Sequence, residues 1–232
     1  PERSEMVGIR KRRTKFNEIK TKTMEIKAAD VMKLRKMTGA GLADCKKALT
    51  DAEGDFDKAV QIIREKGQAI AAKRSDRETS NGCVLVKADN GFSAMIALKC
   101  ETDFVANGKD FIALTQSILD AAVAAKAKTL DEVKALPLNG STVQDEVIAR
   151  SGITGEKTEL DGYLYLEGDN VSVYDHMNKH LLCTMVQTNK PAEEQAHAVA
   201  MQVAAMNPVA LDEASVPQEV KDTELTVAIE KT

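Results

Sequence analysis

Cys83-Val84-Leu85-Val86-Lys87-Ala88-Asp89-Asn90-Gly91-Phe92-Ser93-Ala94-Met95-Ile96-Ala97-Leu98-Lys99-Cys100 holds two β-prone runs, Cys83–Ala88 and Phe92–Cys100, joined by Asp89-Asn90-Gly91. An Asn-Gly pair between such runs signals a tight hairpin turn. Asp110 then precedes Phe111–Lys126, where Ile112, Ile118, Leu119, Ala122 and Val123 spell a long, alanine-rich helix. The unit reads β–β–α. An antiparallel hairpin buries one face, and a helix is the layer that covers it.

The same order returns downstream. Tyr163–Leu166 and Val171–Tyr174 flank the turn Glu167-Gly168-Asp169-Asn170, Leu181–Thr188 reads as another strand, and Ala192–Met206 is a helix ended by Asn207-Pro208. Thr129–Leu136 and Thr142–Ser151 read as short helical connections. After Pro208 an acidic stretch ending in Asp222–Lys231 begins a helix that stops in mid-pattern.

Upstream, Val31, Leu34 and Met37 recur at helical spacing from Ile26 on, up to Thr38-Gly39-Ala40-Gly41, whose glycines permit a sharp reversal. Leu42, Cys45, Ala48 and Leu49 form a second stripe. Asp55 stands as N-cap to a third, Phe56, Ala59, Val60, Ile62 and Ile63, which Gly67 is expected to close at C′. Three helices in so short a span form a binding module, too small to bury a reaction site. The expectation is therefore an α+β protein: a leader at 1–23, a three-helix bundle at 24–67, a polar linker at 68–81, and a core of two hairpin-plus-helix subdomains at 82–150 and 151–232.

The 232 residues carry 32 Lys and Arg against 36 Asp and Glu, and 43% are apolar, which suits a globular chain with a real core and excludes wholesale disorder. Charge is unevenly spread: +5 over 1–27, +1 over 28–136 and −10 over 137–232. The basic run Arg10-Lys11-Arg12-Arg13 could touch phosphate, but it lacks interleaved aromatics and reads as a solvated tail, so no specific nucleic-acid partner is expected. With no apolar run near 18 residues, no membrane span is expected.

The chain offers little for chemistry. Cys45, Cys83, Cys100 and Cys183 show no metal or dithiol spacing, and reduced thiols in a cytoplasmic compartment follow. His176 and His180 stand four apart without a glutamate at metalloprotease spacing, so neither a metal nor a cofactor is expected. Phosphate-cradling glycine loops and a nucleophile elbow are both missing. The glycines ahead of Leu42 could hold an anion but read as a helix–helix turn. The expectation is a protein that is not an enzyme. Within Cys100-Glu101-Thr102-Asp103-Phe104-Val105-Ala106-Asn107-Gly108, Phe104 is either a core residue packing the hairpin onto its helix or a wedge held on a short stiff loop and offered to a partner.

Leu34-Arg35-Lys36-Met37-Thr38-Gly39-Ala40-Gly41-Leu42-Ala43-Asp44-Cys45-Lys46-Lys47-Ala48-Leu49 and Thr102-Asp103-Phe104-Val105-Ala106 resemble the bacterial-type elongation factor Ts family, the guanine-nucleotide exchange factors of elongation factor Tu. Glu53-Gly54-Asp55, Gly67 with Ala71-Ala72-Lys73, Tyr174-Asp175-His176 and Val203-Ala204-Ala205-Met206-Asn207-Pro208 extend the likeness in order. The resemblance implies a ubiquitin-associated-like (UBA-like) helical domain before a two-part core, and a role in promoting GDP release during translation elongation. It implies that Asp103 and Phe104, flanked by Thr102 and Val105, push between helices of the Tu nucleotide domain. Arg35, Leu42 and Ala43 would dock on that domain, with Arg74 and His176 as further contacts. Tu would be bound in GDP-loaded and nucleotide-free states, and a homodimer or 2:2 complex is compatible with this. Leu42-Ala43 stands where members often carry two methionines, so that contact should be less apolar. Members often continue past the equivalent of Thr232, so the sequence reads as a natural short form or a fragment. The competing expectations are a UBA-type adaptor without exchange activity, which leaves Asp103-Phe104 idle, and a cysteine-based redox protein, which lacks a resolving thiol.

Overall fold

The computed structural model describes residues 26–231, so the basic leader at 1–23 lies outside the described residues. Two compact units divide the chain: one holds residues up to Arg77 with Ile148–Lys157, the other Glu78–Val147 with Thr158 onward.

In the first unit α1 (Ala28–Thr38), α2 (Leu42–Asp51) and α3 (Phe56–Lys73) close on a core of Val31, Leu34, Ala40, Cys45, Ala48, Leu49, Ala52 and Ala59. α1 stops at Gly39, whose φ of 71° sends its N–H back to Arg35 O at 2.7 Å; a side chain there would be strained. Asp55 caps α3 by accepting from the N–H groups of Asp57 and Lys58 at 3.0 and 3.1 Å. Lys66 ties α3 to α2 through Asp44 at 2.6 Å. One expectation fails: α3 does not end at Gly67 but runs on to Lys73. Gly67 is buried mid-helix, where a Cβ would lie 3.2 Å from the carbonyl oxygen of Ile148. Its missing side chain serves a close backbone approach rather than a helix end.

The second unit is built on β1 (Asn81–Asp89) and β2 (Phe92–Cys100), an antiparallel hairpin in register from Asn81↔Cys100 to Asp89↔Phe92. Asn90 and Gly91 turn it with φ of 48° and 72°, the two positive values a tight hairpin demands. Beyond β2 come the single turn α4 (Asp103–Ala106), the long α5 (Lys109–Ala125), α6 (Leu130–Ala135), the two-residue strands β3 (Pro137–Leu138) and β4 (Ser141–Thr142), and α7 (Val143–Thr154). Phe111, Leu114, Ile118, Leu119, Ala122 and Val123 of α5 meet the sheet face formed by Phe92, Ala94, Ile96, Leu98 and Cys100.

β5 (Thr158–Glu167) completes the sheet in the order β1-β2-β5, pairing antiparallel with β2. Tyr163–Leu166 therefore does not form a hairpin with Val171–Tyr174. β2 has a free edge after pairing with β1, and β5 fills it: Tyr165 stacks on Phe92 with centroids 5.6 Å apart, Leu160 is buried, and Tyr163 Oη donates to Ala127 O at 2.6 Å. The second hairpin is instead β6 (Val171–Asp175) with β7 (Cys183–Gln187), covered by α8 (Glu193–Met206). The α+β architecture of two hairpins, each with a covering helix, stands with that exchange of partners. α8 ends at Asn207, left-handed with φ of 44°, ahead of Pro208, and α9 (Gln218–Glu230) follows.

Candidate functional site

Phe104 is 88% exposed, at the tip of α4. A helix of four residues does not hold itself together, because nucleation fixes several dihedrals for one hydrogen bond. The neighbours hold this one. Thr102 stands in extended backbone at the N-cap, its hydroxyl accepting from Val105 N at 3.5 Å. Val105 is half-buried against the core and Ala106 is buried, so the turn is pinned on its inner side while Asp103 and Phe104 point outward.

Three consecutive carbonyls ahead of the aromatic ring are each engaged by a side-chain donor. Asn81 Nδ2, at the start of β1, donates to Glu101 O at 2.9 Å. The Cys100 thiol at the end of β2 donates to Thr102 O at 3.2 Å. Asn107 Nδ2 donates to Asp103 O at 2.8 Å, beside its own N–H at 2.9 Å to the same oxygen. The short stiff loop expected from the sequence is thus a capped helical turn. The sequence reading missed Asn81 and Asn107 as site residues; Asn81 is marked locally only by the polar run ahead of it, and Asn107 only by the Asn-Gly pair that ends the turn.

His176 lies in the β6–β7 connection, half-buried, its Nδ1 3.1 Å from Tyr174 Oη and its ring edge-to-face with the same tyrosine. His180 is held separately, with Nδ1 2.5 Å from Asp175 Oδ2. This connection carries left-handed backbone at Met177, Asn178 and His180, and it is fastened to β1 by Val84 N donating to His180 O at 2.7 Å. Val84 follows Asn81 by three positions, roughly 10 Å along a strand. The α4 turn and the His176 connection are therefore fastened to the same half of β1.

The remaining expected contacts belong to the first unit. Arg35 is exposed near the end of α1, Leu42 and Ala43 are exposed in the first turn of α2, and Arg74 is half-buried at the C-cap of α3. Leu42 does not join the buried stripe of Cys45, Ala48 and Leu49. The thiols are all buried; burial pushes Cys83 up to about 11 and Cys183 up to about 12, and raises Cys45 as well. Such thiols are protonated and poor nucleophiles at neutral pH. Among the described residues no group of three or more His, Cys, Asp and Glu is placed to hold a metal ion, and no helix is long and apolar enough to cross a membrane.

A family profile described as Elongation factor TS matches residues 101–232. The chain is 67% identical to Elongation factor Ts of Bacteroides fragilis over 210 residues and 64% identical to that of Parabacteroides distasonis over 209, covering 90% of this chain and 64% of each relative. It is 50% identical to Elongation factor Ts of Porphyromonas gingivalis over 210 residues, 90% of this chain and 76% of that relative. The chain thus spans about two thirds of the length of these curated relatives.

Proposed function

The chain belongs to the elongation factor Ts family, and from that premise we propose that it is a guanine-nucleotide exchange factor that binds elongation factor Tu and promotes GDP release during translation elongation in the cytoplasm. The observation that carries this reading is the Phe104 ring, 88% exposed on a turn whose N-terminus is capped and whose backbone is held at three successive carbonyls. A solvated core residue would be a waste of apolar surface; an anchor for a partner's pocket is what such a ring supplies.

Asp103 and Phe104 enter between helices of the Tu nucleotide domain and disturb its magnesium and phosphate site. Arg35, Leu42 and Ala43 dock the first unit on that domain, while Arg74 and His176 add contacts. No bond is made or broken by the factor. Binding that weakens the hold on GDP is by linkage itself weakened by GDP, one coupling free energy seen from two sides. The factor must therefore prefer the nucleotide-poor state of Tu, since equal affinity for both states shifts nothing.

The test is release of a fluorescent GDP analogue from preloaded Tu, chased with unlabelled GDP. Catalytic amounts of this chain should accelerate the release, and a rate identical to spontaneous loss at saturating chain would overturn the proposal. Binding to Tu without acceleration would leave an adaptor instead.

A further inference from the structure

Phe104 gains nothing from order in the free protein, since its ring packs on nothing that would hold it, yet the backbone beneath it is held at three successive carbonyls. We propose that Asn81 and Asn107 are positioning residues, which act through Phe104 by fixing the α4 turn in its binding shape before the partner arrives. The proposal rests on the reading of Phe104 as the wedge of an exchange factor.

Two features single out the asparagines. Each supplies a side-chain amide N–H to the segment: Asn81 ties Glu101 O to the start of β1, and Asn107, at the C-cap, gives Asp103 O a second donor beside its backbone N–H. Each is also replaceable without opening the core: Asn107 is exposed and Asn81 half-buried, whereas Cys100 is fully buried. A segment ordered beforehand does not pay its ordering entropy at the moment of binding, so its loss shows as weaker association and not as a slower maximal step.

The experiment uses the whole chain with Asn81→Ala, Asn107→Ala, the isosteric Asn107→Asp, which keeps the shape but has no amide donor, and each alanine change combined with Phe104→Ala. Amide hydrogen exchange at Phe104–Gly108 in the free protein should speed up in the single variants while the melting temperature holds. The concentration of factor for half-maximal GDP release should rise about two- to tenfold, the worth of one net hydrogen bond, with the maximal rate unchanged. In the Phe104→Ala background the asparagine changes should add nothing. Parental half-maximal concentrations, or the same increment with and without Phe104, would overturn the positioning role. Should Phe104→Ala itself release GDP as fast as the parent, the wedge reading fails; unchanged amide protection at the turn would then overturn the bracing role as well.

Discussion

Gly67 and Gly152 meet backbone to backbone: a Cβ on Gly152 would lie 2.6 Å from Gly67 Cα and 3.1 Å from its nitrogen. Residues 148–154 of α7 belong to the same compact unit as α3, and the contact requires that Gly152 have no side chain, while a Cβ on Gly67 would press on Ile148 O and Ala149 of the same helix. Gly152→Ala should destabilise that unit by about 1–3 kcal/mol, since the obstructing atoms are main chain and cannot rotate away. This outweighs the gain of up to about 1 kcal/mol that alanine brings to a helix interior. Gly67→Ala, with its nearest atom at 3.2 Å, should cost less. Urea midpoints measure both; a Gly152→Ala protein as stable as the parent would contradict the packing.

Phe104 and Phe111 offer a contrast within one short segment, 88% exposed against 2%. Phe111→Ala should cost about 3–5 kcal/mol of stability, as deletion of a core phenylalanine does. Phe104→Ala should stay within about 0.5 kcal/mol of the parent yet lose on the order of 2 kcal/mol or more of accelerated GDP release. Thermal melts beside nucleotide-release rates separate the two. A large drop in melting temperature for Phe104→Ala, with release per folded molecule preserved, would return that ring to the core.

Arg35 is exposed on α1, so its removal should leave the fold alone. If it makes a charge-assisted hydrogen bond to Tu, Arg35→Ala should weaken binding by about 1–2 kcal/mol. Titration calorimetry with nucleotide-free Tu reads this directly, and unchanged affinity removes Arg35 from the site.

The buried thiols and Tyr163 set an alkaline limit. Burial raises Cys83 to about 11, Cys183 to about 12 and Tyr163 to about 12, each above its ordinary value. The folded chain keeps these protons where the unfolded chain releases them. The stability they contribute is complete below pH 9 and is lost as pH rises from about 9 to 12. Urea midpoints should fall across that window, less steeply in Tyr163→Phe and Cys183→Ala; a flat profile would refute the assignment. At neutral pH the four cysteines should resist a thiol reagent until denaturant is added.

Local chemistry was legible wherever the signal lay within a few residues. Asn90-Gly91, the Asp55 cap and the Asn207-Pro208 stop each stand where the sequence puts them, because each is a statement about the backbone of its own neighbours. Gly67 misled because a glycine at a helix end and one at a helix crossing look alike until the distant partner, Gly152, is known. The partner of Tyr163–Leu166 was hidden for the same reason. The nearest strand in sequence is Val171–Tyr174, but the free edge of β2, the Phe92–Tyr165 stack and the room that Gly162 leaves for Ala97 favour the distant one. At the candidate site the Asp103-Phe104 pair stood out as residues, whereas their exposure and the bracing from Asn81 depend on long-range geometry that periodicity does not carry.

The strand order β1-β2-β5 also has a temporal side. As the chain leaves the ribosome, β1 and β2 zip from the turn outward, from Asp89↔Phe92 to Asn81↔Cys100, and α5 can cover them soon after. The third strand comes much later, after α6, β3, β4 and α7 have been made. During that interval β2 offers an unpaired row of amides and carbonyls flanked by Phe92, Ala94 and Ile96, the kind of edge on which nascent chains pair with one another. Arrival of Thr158–Glu167 closes that window, so a chain cut just before Thr158 should keep its hairpin and lose its solubility.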